Sequence, residues 1–236
     1  MRNELLSRYA LSQSERLREE DPFTASLIRG VPNQIVFHRS RFEIDLNRSR
    51  EEAVYLRPEQ AWGLTVWKDT LPAFEHDKSL MIHDDYYEML GALLKTVERN
   101  HGEFVLLDVH SYNHRRAGPD RQTNPDAAPD INIGTFSMDR ARWAHVVDPL
   151  MDHFKSFKVG GKQLDVRENI AFQGKGEQTR FVHEHFPETG CAIAVEFKKI
   201  FMDEWTGLPD KAVLGELRDA VTAAVPLLER ILGHRP

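Results

Sequence analysis

The sequence predicts one α/β domain built on a mixed, largely parallel central sheet flanked by helices. Three observations carry that expectation. Phe104-Val105-Leu106-Leu107 is an apolar run with no polar alternation, and it ends abruptly in Asp108-Val109-His110-Ser111-Tyr112. Cys191-Ala192-Ile193-Ala194-Val195 is a second such run, ending in Glu196-Phe197-Lys198-Lys199. Unbroken apolar runs mark strands buried on both faces, as in sheets covered by helices. Third, a helical pattern over Tyr86–Asn100, closed by Gly102, leads into the first run with a short turn, which makes an αβ unit.

Composition narrows the class. The length of 236 residues suits a single domain over 1–236 with a core that needs no staples. A net charge of −6 gives no electrostatic case for nucleic acid or an anionic membrane surface. The single cysteine, Cys191, rules out an internal disulfide and points to a reducing, cytoplasmic setting. No apolar run approaches the ~20 residues that span a bilayer.

Along the chain, Leu5, Leu6, Tyr9 and Ala10 share a helical face. Ser12-Gln13-Ser14-Glu15 has capping-box spacing and starts a second helix, which Pro22 stops near Glu20 or Asp21. Its last turn carries Glu19, Glu20 and Asp21 at the negative end of the helix dipole, an arrangement that a nearby cation would explain. Gln34–Phe37 and Phe42–Leu46 read as strands, the second running into Asn47-Arg48. Residues 49–80 read as an irregular excursion and 113–129 as a polar loop that covers a substrate or simply projects into solvent. Ile131–Phe136 reads as a strand, Arg140–Phe157 as a helix that Pro149 disturbs, and Gly160-Gly161 as a turn. Leu164–Val166 suits a short strand and Thr179–Phe186 a helix. Lys211–Leu232 is a long amphipathic helix interrupted by Pro226. The loop Phe172-Gln173-Gly174-Lys175-Gly176 lacks the spacing of a phosphate-binding loop.

In open α/β sheets, ligands bind beyond the carboxyl ends of the strands. Three predicted strand ends carry polar groups: Asn47-Arg48, Asp108 to Ser111, and Glu196. As parallel neighbours they would converge. His110 is then a candidate metal ligand, and alternation puts Asp108 on its face as an orienting partner. Glu196 is a candidate general base for a metal-bound water, or else a salt-bridge partner of Lys198 or Arg180. Arg48 suits bidentate carboxylate recognition and Arg41 could polarise a carbonyl; a surface ion pair is the alternative for each. Ser111 as a nucleophile is disfavoured, because no Gly-x-Ser-x-Gly elbow surrounds it.

Four motifs in order, Arg41-Phe42-Glu43-Ile44-Asp45-Leu46-Asn47-Arg48, Leu107-Asp108-Val109-His110-Ser111, Asp130-Ile131-Asn132-Ile133-Gly134-Thr135 and Val195-Glu196, resemble those of the N-formylglutamate amidohydrolase family. The likeness runs from about residue 19 to 205. It implies a fold similar to the zinc carboxypeptidases and aspartoacylases, one zinc ion, and hydrolysis of the amide of a small acidic N-acyl amino acid, a reaction of histidine degradation. It implies that His110 and Asp21, with Glu20 as the alternative, bind zinc. It implies further that Glu196 activates water, that Arg41 stabilises the oxyanion, and that Asn47 and Arg48 hold the substrate carboxylate. The family pattern also has a His-bearing loop ahead of the acidic ligand, whereas no His precedes His38 here. Two expectations follow from that departure. Either the chain starts late and is N-terminally truncated, or it has lost a ligand and is a metal-poor, vestigial carboxylate-binding protein. His38 and His114 are the remaining candidates for a third ligand.

Overall fold

A computed structural model describes residues 1–121 and 123–233; Gln122, within the expected polar loop, and residues 234–236 lie outside the description. The long apolar runs form the two longest strands, β1 (Phe104–Tyr112) and β6 (Gly190–Lys198). They pair in parallel, with Phe104 beside Gly190 and His110 beside Glu196. β2 (Ile131–Gly134) pairs antiparallel with β6, and β5 (Val166–Glu168) pairs parallel with β2. The sheet order is β1-β6-β2-β5, mixed with two parallel pairs, as expected. A separate two-stranded ribbon, β3 (Lys158–Val159) and β4 (Lys162–Gln163), turns at Gly160-Gly161, both with positive φ.

Helices cover both faces. On one, α5 (Ala144–Lys155) and α7 (Lys211–Ile231) pack Val146, Leu150, Phe154, Leu217 and Val221 against Ile133, Ile193, Val195 and Phe197. On the other, α4 (Ala73–His101) and α6 (Glu177–His185) pack Tyr87, Leu90, Leu94 and Val182 against Phe104 and Ala192. Alternation along β6 sends Ala192 to one cluster and Ile193 to the other, which is why its sequence shows no polar positions. Both α5 and α7 run through their prolines, Pro149 and Pro226. Among the described residues, no helix is long and apolar enough to cross a membrane.

The N-terminal third departs most from expectation. The helical face from Leu5 shortens to one turn, α1 (Asn3–Leu6). Helix α2 (Gln13–Glu19) starts with the expected capping box between Ser12 and Glu15 and ends at Glu20. Neither 34–37 nor 42–46 is a strand. Instead Glu43 N–H and Ile44 N–H both donate to Ser40 O, making a turn. The apparent alternation of Phe42 and Ile44 has another cause. Both are buried in a satellite cluster with Leu5, Tyr55 and Trp67, away from the sheet. The one residue between them, Glu43, is buried as well and is answered by Arg2 at 3.0 Å.

Helix α4 starts 13 residues before the expected Tyr86. Its first turns hide their period because the buried positions are polar: Glu75, Ser79 and His83. Arg2 reaches the first two at 2.5 and 2.8 Å, and His83 Nε2–H donates to Arg48 O at 3.0 Å. A helix face satisfied by distant polar partners carries no apolar stripe to read.

Candidate active site

The site lies beyond the carboxyl ends of β1 and β6, where the parallel register sets His110 beside Glu196. Three further segments close on it: the end of α2, the loop from Arg41 to Asn47, and the start of α6. The first is the end of α2. Its terminal carbonyls have no partner within the helix, and a buried lysine and a half-buried arginine take them. Lys199 Nζ, just past β6, donates to Arg18 O at 2.5 Å and Glu20 O at 2.8 Å. Arg41 Nη1 donates to Glu19 O at 3.1 Å. These are the cations that the acidic helix end called for, and they aim the next residue, Asp21, at the sheet. Lys199 is 1% exposed, and burial lowers its pKa to about 8 against the pull of Asp21 and Glu19. Neither its burial nor its role could be read from a Lys-Lys pair at a strand end.

Asp21 meets His110, with Oδ2 3.4 Å from Nδ1. Its other oxygen accepts from Ser111 N–H at 2.8 Å and Ser111 Oγ–H at 3.0 Å, so the serine hydroxyl orients a carboxylate. Glu20, the alternative acidic ligand, turns away and accepts from Ser40. The second nitrogen, His110 Nε2, lies 2.9 Å from Asp108 Oδ1, on the shared face that alternation requires. Gln178 Nε2–H steadies the same Asp108 oxygen at 2.6 Å. His110 thus lies between two carboxylates. Burial disfavours its charged form, but Asp108 and Asp21 outweigh that and hold its pKa well above the usual value. Burial also opposes ionisation of Asp21, yet Arg41 and the hydrogen bond to His110 keep its pKa well below the ordinary range.

Glu196 is buried, and that burial raises its carboxyl to about 7; nearby Asp21 and Asp108 raise it too, while His110 and Arg41 oppose the shift. The salt-bridge alternative does not hold. Lys198 pairs with Asp130 at 2.6 Å, and Arg180 with Glu177 and Glu184. Arg41 spans two carboxylates, Asp21 at 3.3 Å and Asp45 at 3.6 Å, and lies 5.3 Å from the centre of the Trp62 ring.

Asn47 reaches His110 from a loop, with Nδ2 3.3 Å from His110 Nε2. Arg48 is exposed beside it. Among the described residues its side chain forms no hydrogen bond or ion pair with Asp21, His110 or Glu196, nor any other ion pair. Glycine makes room for this loop. A Cβ on Gly176 would lie 1.9 Å from Asn47 Oδ1. Gly174, at φ +75°, lets its loop sit against the backbone of Gly134 at the end of β2. The glycine-punctuated loop thus serves close packing at the site.

Two donors match a zinc centre: Asp21 and His110 Nδ1 lie side by side, and Asp108 holds the other ring nitrogen as a zinc-bound His requires. Catalytic zinc takes about three protein ligands. Among the described residues, no group of three or more His, Cys, Asp or Glu side chains is arranged to hold a metal. His38 is exposed, and His114 Nδ1 lies 2.7 Å from Glu204. The residues present therefore do not complete the implied zinc site.

Fold and site together define an α/β protein with a cluster of carboxylates around a histidine at the carboxyl ends of parallel strands. A family model described as N-formylglutamate amidohydrolase matches residues 1–202, and the chain belongs to that family. A crystal structure of N-formylglutamate amidohydrolase from Ralstonia eutropha JMP134 superposes with a TM-score of 0.70 at 16% identity, covering 94% of this chain and 87% of that one. A gene product from Agrobacterium tumefaciens superposes with a TM-score of 0.64 at 17% identity, covering 97% and 87%. At these identities the likeness shows the fold alone. No curated protein matches the chain.

Proposed function

We propose that this protein hydrolyses the N-acyl amide of a small acidic amino acid, with N-formylglutamate as the type substrate. One observation carries the reading. Glu196, buried with a carboxyl near 7, stands in register with His110 and close enough to Arg41 and Asp21 to feel their charges. A carboxylate with that pKa can take a proton from water at neutral pH and return it. In the proposed step, water oxygen bonds to the acyl carbon while Glu196 takes its proton. Arg41, whose charge is felt at Glu196, is proposed to stabilise the oxygen that becomes negative. The intermediate then collapses, the C–N bond breaks, and Glu196 gives its proton to the departing nitrogen. Formate and free glutamate leave. Asn47 and Arg48 hold the substrate carboxylate, the exposed guanidinium being free to form a bidentate pair. The zinc ion implied by the resemblance is proposed to bind through Asp21 and His110, outside these steps.

The test is formate release from N-formylglutamate, measured with and without added zinc. The donor count favours a second reading, in which the pocket binds acidic N-acyl amino acids without turning them over. Saturable binding with no formate under either condition would select it.

A further inference from the structure

The segment Leu46 to Arg48 lies outside both sheet and helix, yet each of its three carbonyls is taken by a donor from another element. Tyr87 Oη–H donates to Leu46 O at 2.5 Å. Glu177 N–H, at the start of α6, donates to Asn47 O at 3.2 Å. His83 Nε2–H donates to Arg48 O at 3.0 Å. The N–H groups of Asn47 and Arg48 both turn back to Asp45, at 2.9 Å on its side chain and 3.2 Å on its backbone. His83 and Tyr87 are one turn apart on α4, with ring centres 4.7 Å apart, and Tyr87 leans on Phe181 of α6 at 4.9 Å. Backbone groups of an irregular segment need partners as much as those of a strand do. Here those partners fix the main chain from which the side chains of Asn47 and Arg48 extend.

We propose that His83 and Tyr87 are positioning residues for Asn47 and Arg48, setting where the pair meets a ligand carboxylate without touching it. This rests on the reading of Asn47 and Arg48 as the carboxylate-binding pair. Releasing either carbonyl lets the segment drift, and a drift of about 1 Å is enough to spoil a bidentate contact. Tyr87→Phe removes only a hydroxyl. His83→Phe removes the second donor, and His83→Gln restores an N–H at similar reach.

The experiment measures binding of N-formyl-L-glutamate to the full chain by calorimetry, with Arg48→Ala as the reference variant. Arg48→Ala should weaken binding most. Tyr87→Phe and His83→Phe should each raise Kd about tenfold, and His83→Gln should recover most of that loss. A purely structural role would lower the unfolding midpoint and leave Kd of the folded protein unchanged. If Arg48→Ala weakens binding while the Tyr87 and His83 variants bind like the parent, the positioning role is wrong and the carboxylate reading stands. If the parent does not bind, or Arg48→Ala binds equally well, the carboxylate reading falls and takes this inference with it.

Discussion

His110 and Glu196 stand opposite each other on adjacent parallel strands, in register, at the carboxyl end of the sheet. In a parallel pair, residues in register point to the same face, so one strand pairing delivers an imidazole and a carboxyl to one face of the sheet end. Asp21, brought in by the capped end of α2, completes the group from the other side of His110.

Glu196→Gln keeps the shape of the side chain and removes its basicity. Turnover of N-formylglutamate should fall by about 100-fold or more. The unfolding midpoint should hold or rise, because burial already disfavours the charged carboxylate. Undiminished formate release from the variant would remove Glu196 from the proposed step.

Arg41→Met leaves Asp21 and Asp45 without the cation between them. Removing one partner of such half-buried ion pairs costs about 1–3 kcal/mol. Urea unfolding should show that loss, and formate release should fall with it. Arg41→Lys should recover only part, because an ammonium cannot span both carboxylates and also reach Glu19 O.

Gly176→Ala isolates a steric effect. The backbone at Gly176 is extended at φ −64°, which alanine adopts freely, but its Cβ would lie 1.9 Å from Asn47 Oδ1. The amide must move. Ligand affinity should fall about tenfold while the midpoint changes by only a few degrees, as read by calorimetry and thermal melting.

His183 links stability to pH. Its Nε2 accepts from Ala192 N–H at 3.1 Å, and Nδ1 lies 2.9 Å from Ser137 Oγ. Burial lowers its pKa to about 4. The folded state therefore favours the neutral ring. Above about 6.5 both states are neutral and the full stability is present; as pH falls from 6.5 towards 4, the unfolded chain takes up the proton first and stability is lost. With the ring partly exposed, the loss should be about 1–2 kcal/mol. Urea unfolding at pH 7 and 4.5 should show a smaller decrease for His183→Gln than for the parent.

Two donors make a weak zinc site. Metal analysis of the purified protein should find less than one zinc per chain, and calorimetry should give affinity far below that of a three-ligand centre. His110→Ala or Asp21→Asn should abolish what remains. Stoichiometric zinc that survives dialysis would show a donor set other than Asp21 and His110.

The parts legible in the sequence were those whose cause is local. The apolar runs at 104–107 and 191–195 gave the strands, because burial on both faces leaves a continuous mark. The capping box at Ser12 and Glu15 fixed the start of α2 through contacts three residues apart. His110, Asp108 and Glu196 could be placed at strand tips because alternation and the end of an apolar run locate them. The pattern misled where burial was polar or off the sheet. Phe42 and Ile44 imitated a strand by packing into a satellite cluster, and Glu75, Ser79 and His83 concealed the first turns of α4.

The sequence by itself determined the two central strands, the helices on either side, and the residue types available at the tips. Tertiary structure alone decided that β1 and β6 are neighbours in register, that Asp21 rather than Glu20 faces His110, and that Lys199 and Arg41 cap the helix that delivers it. Apolar burial and capping repeat at short spacing and so leave a period in the chain. Hydrogen bonds between single polar groups separated by up to 181 residues leave none.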